Sequence, residues 1–332
     1  MEAKMAGSAR AARAADHVAE VAAPPGRPYG LIADVTRWPA MFAPCLAAAV
    51  LEDGPGRQRI RLWAVVGTQV RSWTSERTLD ERQGVVTFRQ EAPEPPIAWM
   101  NGSWRFEPAA GGTRLVLHHA WATTGGEETD EVIAAALDRN STAEIAAVKT
   151  WAERPQGPSE VLFTFSDQVR IGGSAAEVYD FLHDADRWPE RLPHVSRLDL
   201  ETAPVSSAAA GAAVQTMEMD TVAADGSTHT TQSVRLCFRG ERIVYKQTTP
   251  PRGLLAHGGE WRLTPVEDGV LVTARHQVAL DPETIGDALG GPLPLAEARA
   301  RVRRLIGGNS RQTLHAVQAG VEGAAGRPVD AR

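Results

Sequence analysis

The sequence is poor in cysteine and in lysine, and each shortage excludes something. Among 332 residues there are two cysteines, Cys45 and Cys237. Two are too few for a disulfide framework, and neither has a histidine at zinc-ligand spacing. A reducing cytoplasm suits such a chain. Lysine occurs three times, at Lys4, Lys149 and Lys246, so nearly all positive charge is arginine. With a net charge of −6 and a pI near 5.9, nucleic acid is not an expected partner. No apolar run reaches the roughly 18 residues that span a membrane. Residues 1–15 lack the apolar centre of a signal peptide and read as a flexible arm. There is no phosphate loop, dinucleotide fingerprint or metal motif, so no cofactor and no metal is implied.

What is present is enough apolar sequence, 43%, to bury real cores, and a length that suits two domains. Asp16 to Ala23 alternates like a strand until Pro24-Pro25-Gly26 breaks it. Arg27 to Asp34 reads as a short helix, and Val35-Thr36-Arg37-Trp38-Pro39 opens a second. Strand-like runs follow between Gly, Pro or acidic turns: Leu46 to Glu52, Arg57 to Val66, Thr68 to Asp80, Gly84 to Gln90, Ala98 to Glu107 and Thr113 to Thr123. A long helix closes the block, Asp130 to Ala152. In it Val132, Ala136, Leu137, Ile145, Val148 and Trp151 recur at helical spacing.

The pattern then starts again. Val161 to Ile171 alternates, Ala175 to His183 is helical, and Arg187-Trp188-Pro189 repeats Arg37-Trp38-Pro39. Trp104 matches Trp261, His119 matches His276, and Asn140-Ser141 matches Asn309-Ser310. Matches in one order over one order of elements mark a tandem duplication. The expected boundaries are an arm 1–15, a first domain 16–153, a linker 154–160, a second domain 161–325 and a tail 326–332. Each half is then α+β: a meander of antiparallel strands wrapped on its closing helix, with a pocket between them. Within the first half, Trp73, Ser75 and Arg77 share one strand face, because residues two apart point the same way. Thr231, Ser233 and Arg235 repeat that spacing in the second half, with Thr in place of Trp.

Three pieces carry a family resemblance: Arg37-Trp38-Pro39, the Trp-x-Ser-x-Arg strand at 73–77, and Met100-Asn101 followed by Trp104. On these the chain resembles the two-domain aromatase/cyclases of bacterial type II aromatic polyketide synthesis, across residues 16–325. The resemblance implies a tandem duplication of the helix-grip fold shared with START-like and Bet v 1-like proteins. It implies regiospecific aldol closure of a poly-β-ketone, then loss of water to form an aromatic ring. It also implies a substrate tethered to an acyl carrier protein through a phosphopantetheine arm. By the same carry-over Arg77 is the residue most tied to activity, with Ser75 beside it and Trp73 in the pocket wall. A tyrosine that some single-domain relatives place seven residues after the Trp of the Trp-Pro pair is absent here: Cys45 and Val195 hold those places.

Arginine suits this chemistry because it stays charged and offers several fixed donors for a developing oxyanion. It cannot be the base. Water or a neutral histidine can, and His118, His119 and His276 are the candidates. The catalytic set is thus Arg77, Ser75, Arg235 and Ser233. The pocket set is Trp73, Thr231, Trp38, Met100, Trp104, His119, Asn140, Trp188, Trp261, His276 and Asn309. A competing function on the same fold is a non-catalytic carrier of a hydrophobic small molecule; charge inside the pocket separates the two.

Overall fold

A computed structural model describes residues 12–67, 69–203, 209–222, 226 and 228–325. Thr68, the expected arm up to residue 11 and the expected tail 326–332 lie outside the described residues. The chain divides into two compact units, Met1–Pro158 and Ser159–Arg332.

In the first unit β1 (Arg13–Val21) alternates in burial along its whole length. It begins inside the stretch that the sequence assigns to an arm, because Arg13 to Ala15 pair with Trp121 to His119. Then come α1 (Gly26–Ala33), a 3-10 turn (Val35–Arg37) and α2 (Trp38–Met41). Asp34 caps that turn: its Oδ1 accepts from Thr36 N at 3.1 Å and its Oδ2 from Arg37 Nε at 2.8 Å. The Arg of Arg-Trp-Pro is thus a local clasp, and the Pro sits in the first turn of α2, where its missing N–H costs nothing. Next come β2 (Cys45–Gly54), β3 (Arg57–Val66), β4 (Gln69–Asp80), β5 (Val85–Glu91), β6 (Ile97–Ala109) and β7 (Gly112–Thr123), and then α3 (Glu127–Glu153). All neighbours are antiparallel, in the order β1-β7-β6-β5-β4-β3-β2.

The second unit repeats this. A turn of helix, α4 (Pro158–Val161), leads into β8 (Leu162–Ile171). After it come α5 (Ala175–His183), another 3-10 turn and α6 (Trp188–Arg191). Ser174 and Glu177 close a capping box at the start of α5. The sheet continues with β9 (Val195–Ala203), β10 (Ala213–Val222), β11 (Thr228–Phe238), β12 (Arg242–Thr249), β13 (Leu254–Val266) and β14 (Gly269–Leu280), ordered β8-β14-β13-β12-β11-β10-β9. A short helix with no counterpart among the described residues of the first unit, α7 (Ile285–Ala288), precedes α8 (Leu295–Ala325).

The closing helices decide where a cavity can exist. Along α8 the ends are apolar: Ala298 and Val302 join one cluster, and Leu314, Val317 and Val321 join another. Between them Ile306, Asn309, Ser310 and Thr313 face a cavity. Small and polar side chains there cannot fill the space under a curved sheet. On α3 the buried apolar residues are gathered towards the C-terminal half, at Ile145, Val148, Trp151 and Ala152, with Asp130 and Ser141 the buried polar ones. Val132, expected on the packed face, is instead 61% exposed. The helical periodicity is real, but in the first turns of α3 the buried residue is Asp130, which accepts from Thr123 Oγ1, rather than an apolar side chain.

Candidate active site

Cross-strand partners share a face, so the register can be read as a row running across each sheet. In the first unit the row is Gln58, Arg77, Phe88, Gly102, His119 and Ala15. In the second it is Gln215, Arg235, Tyr245, Gly259, His276 and Phe165. The duplication is thus preserved at the level of single side chains: Gln, Arg, aromatic, Gly, His. The glycine is required by geometry. A Cβ on Gly102 would meet Phe88 Cζ at 2.5 Å and also collide with His118 O; one on Gly259 would meet Tyr245 Oη at 2.9 Å and collide with Arg275 O. The aromatic ring lies across its neighbour's backbone, and only glycine leaves room for it.

Both arginines of the row are buried, at 3% and 1% exposure. Each donates to the C-terminal carbonyls of the short helix that follows the first strand of its unit. Arg77 Nη2 donates to Ile32 O at 2.5 Å, and Nη1 to Ala33 O at 3.4 Å and Gln58 Oε1 at 3.3 Å. Arg235 Nη2 donates to Leu182 O at 2.5 Å. The carbonyl end of a helix carries partial negative charge, which keeps a buried guanidinium charged. Desolvation lowers the Arg77 pKa to about 10 and lowers that of Arg235 too. Trp38 lies 5.3 Å from Arg77, and Trp188 lies 5.2 Å from Arg235, as cation–π partners. The repeated Arg-Trp-Pro therefore meets the repeated Ser-x-Arg in space, although each half separates them by dozens of residues.

The difference lies in the remaining donors. Arg77 spreads its bonds over three protein acceptors. Arg235 has Nε and Nη1 buried with no hydrogen-bond partner among the described residues. It faces a cavity of about 160 Å³ walled by Trp188, Met217, Met219, Thr231, Tyr245 and Trp261, with Ser233, His276 and Asn309 also on its lining. The second-half residues expected in a pocket are therefore brought together, Asn309 at an exposed edge.

In the first unit Ser75 is buried, and Trp38 and Trp73 pack against Val35, Ile60 and Leu62. Trp104 is buried as well. An open groove of about 440 Å³ lies at the β5–β6 end and is lined by Arg89–Pro93 and Trp99–Asn101. It contains Met100 but not Trp73, Ser75 or Arg77, so it is not the site built around the arginine.

One histidine and one asparagine placement differ from expectation. His118 points away from the row and pairs with Asp16 Oδ1 at 2.7 Å, because adjacent strand residues face opposite sides. That removes it as a candidate base. Asn140 is exposed in the middle of α3, and its neighbour Ser141 turns inward, with Oγ 3.2 Å from His119 Nδ1. Cys45 is a buried thiol 3.7 Å from Ala47 O and serves as a small packed residue.

Several inward groups were missed. Gln58 and Gln215 share the arginine row. Glu144, one turn after Ser141, has its carboxyl pushed up to about 7 by burial. Tyr245 and His257 join His276 in a cluster: Tyr245 Oη lies 2.7 Å from His276 Nδ1 and 3.5 Å from His257 Nε2. Burial lowers His119 and His276 to about 4 and His257 to about 3, so all three are neutral near pH 7. The duplication offset would have found Tyr245 and His257, since they stand where the first half has Phe88 and Met100. Among the described residues no group of three or more His, Cys, Asp or Glu could hold a metal ion. No described helix is long and apolar enough to cross a membrane.

Comparison with known proteins agrees with this architecture. The family model described as "Polyketide cyclase / dehydrase and lipid transport" matches residues 21–147, and a second model of the same description matches 163–322. The chain is 46% identical to the actinorhodin polyketide synthase bifunctional cyclase/dehydratase of Streptomyces coelicolor, over 91% of this chain and 95% of that one. It is 41% identical to a granaticin polyketide synthase bifunctional cyclase/dehydratase of Streptomyces violaceoruber, covering 92% and 93%. Among solved structures it is similar to the di-domain ARO/CYC BexL of the BE-7585A biosynthetic pathway. That match has a TM-score of 0.76 and 40% identity, over 95% of this chain and all of that one.

Proposed function

The chain belongs to the polyketide cyclase/dehydrase family, and from that premise we propose the steps its residues carry. It is a polyketide cyclase/dehydratase: it closes a ring in a poly-β-ketone by aldol addition and removes water to make that ring aromatic. Methylenes between two ketones are acidic already, and such chains cyclise unaided but without regiochemical control. The work of the protein is to hold one fold of the chain and to stabilise the enolate or alkoxide oxygen as charge develops. Arg77 and Arg235 are the oxyanion donors in this reading, with Ser75 and Ser233 beside them. Trp188 and Trp261 form walls against which a ring of the ketide lies.

One observation carries the reading: a guanidinium with two donor nitrogens unpartnered among the described residues, at a cavity walled by Trp, Met and Tyr. Buried charge without partners is costly. A carrier of apolar ligands gains nothing from it, whereas a site that must meet a developing negative oxygen does. We further propose that the substrate arrives on the phosphopantetheine arm of an acyl carrier protein in the cytoplasm, because a free poly-β-ketone would cyclise before it diffused.

The test is reconstitution with a type II synthase and its acyl carrier protein, with and without this chain. The expected result is a gain of one aromatic product at the expense of misfolded shunts. Identical product distributions in the two mixtures would sink the assignment.

A further inference from the structure

The two rows differ at the place where proton chemistry is decided. In the first unit His119 Nδ1 meets Ser141 Oγ, and the ring beside it is Phe88, 5.3 Å away edge-on. A serine hydroxyl can turn to donate or accept, so it leaves the histidine tautomer open. In the second unit the matching Ser310 Oγ has no partner among the described residues, and His276 Nδ1 meets the Tyr245 hydroxyl instead. His257, in the place of Met100, adds a third polar ring.

Counting partners assigns the protons. His257 Nδ1 lies 2.8 Å from Gln247 Oε1, an acceptor, so Nδ1 carries the hydrogen and Nε2 is a lone pair. The groups that approach this lone pair are Tyr245 Oη at 3.5 Å and His276 Nδ1 at 3.4 Å. Tyr245 has one hydrogen, and giving it to His257 satisfies that nitrogen. The 2.7 Å contact between Tyr245 and His276 is then made by the hydrogen on His276 Nδ1. A neutral His276 keeps no hydrogen on Nε2, the atom that has no partner among the described residues. The opposite order would leave His257 Nε2 buried without a donor. Around His276, Tyr245 and His257 approach from β12 and β13. Asp167 on β8 and Arg303 on α8 act on its charge in opposite senses.

We propose that Tyr245 and His257 are positioning residues that hold His276 with a bare Nε2 at the second cavity, and that His276 is the base for loss of water from the newly closed ring. This rests on the cyclase/dehydratase reading. The α C–H bond breaks, its proton goes to Nε2, and its electron pair moves onto the carbonyl oxygen, where Arg235 Nε and Nη1 can donate. The carbonyl re-forms, the pair becomes the new C=C bond, and the β C–O bond breaks. The hydroxyl leaves with the proton from Nε2 as water, and His276 returns to neutral. A cavity of about 160 Å³ suits one ring rather than a whole ketide chain, since about 150 Å³ accepts a benzene. The first unit, with Phe88 and Met100 in these places, lacks the positioning pair.

Two measurements test this on the full chain. Nitrogen-15 NMR of the wild-type histidines at neutral pH should show His276 protonated on Nδ1 and bare on Nε2; a proton resident on Nε2 overturns the proposal. The second compares wild type with Tyr245→Phe/His257→Met in the reconstituted system. These are the side chains the first unit carries at the same places, so the frame accepts them. The rate of water loss should fall roughly 100-fold, the size of a general-base contribution. KM should hardly change, and the hydrated ring should accumulate over the aromatic one. Wild-type dehydration by the double variant overturns the inference alone. A wild-type protein that leaves the synthase products unchanged overturns the underlying reading instead.

Discussion

Arg77 and Arg235 occupy one position in two copies of a fold, yet their guanidiniums are held differently. Arg77 joins β4 to the end of α1 through Ile32 O and Ala33 O, and bonds Gln58 on β3 as well. Arg235 makes one such bond, to Leu182 O, and its Nε and Nη1 have no partner among the described residues. Replacing each by methionine should therefore give opposite results. Arg77→Met should lose roughly 1.5–3 kcal/mol, the range for hydrogen bonds to a charged group. Arg235→Met should be neutral or stabilising, because an apolar side chain of similar length removes a buried charge held by one hydrogen bond. Denaturant titrations of the two variants decide it, and the reverse ranking would refute this account of the site. Activity is a separate matter. Arg77→Ala should cost about 10²–10³ in ring-closure rate if Arg77 is a main oxyanion donor. Because the chain also cyclises unaided, the visible effect is a rise in shunt products. Arg77→Lys should rescue only in part, since an ammonium lacks the planar fork. A folded Arg77→Ala protein with a wild-type product profile would refute its catalytic role.

At the scale of elements, the row across each sheet works because glycine stands between the aromatic and the histidine. Gly259→Ala would drive a methyl against Tyr245 Oη and Arg275 O. The expected cost is roughly 1–3 kcal/mol, as for other overpacked sites. The Tyr245 hydroxyl should also be displaced from His276, so water loss should slow beyond what the stability change explains. Paired denaturation and product assays check this, and a Gly259→Ala protein of wild-type stability would show that β13 and β14 are not in this register. These elements were legible in outline. Period-two runs marked the strands, and β3 and α5 match their sequence-read limits. The register was not legible: which strand residues stand opposite depends on turn geometry and bulges such as the one between Gln232 and Ser233. The inward histidines could be listed, but their partners could not.

For the whole molecule, the histidines make stability depend on pH, and unequally in the two units. His119 in the first is lowered from 6.5 to about 4. In the second, His276 is lowered to about 4 and His257 to about 3, and burial lowers His194 and His229 as well. The native state binds fewer protons than the unfolded chain between the native values and 6.5. The histidines' contribution to stability is therefore full above pH 6.5 and is lost as pH falls towards 4, at up to about 1.4 kcal/mol per pH unit for each such group, while Glu144 in the first unit, raised to about 7, acts in the opposite sense as pH falls through 7. The second domain should lose protection first. Hydrogen exchange followed domain by domain from pH 7 to pH 4 measures it, and His257→Met should flatten the second domain's curve. Equal loss in both domains would contradict these histidine environments.

The sequence by itself determined the duplication, the two-unit α+β plan, and the presence of an arginine, a serine and a histidine on matched strands. Those follow from local rules: periodicity, turn residues and a repeated order of motifs. It also carried the family resemblance. What only tertiary structure decided is what each polar atom meets. Ser141 rather than Asn140 reaches His119, Arg77 is tied to a helix end by two bonds and to Gln58 by a third while Arg235 is tied to a helix end by one, and Tyr245 with His257 surrounds His276. The physical reason is range. Backbone periodicity acts over neighbouring residues, whereas the proton positions and charges of a buried site are set by partners dozens of residues away, brought within hydrogen-bonding reach only when the sheet closes on its helix.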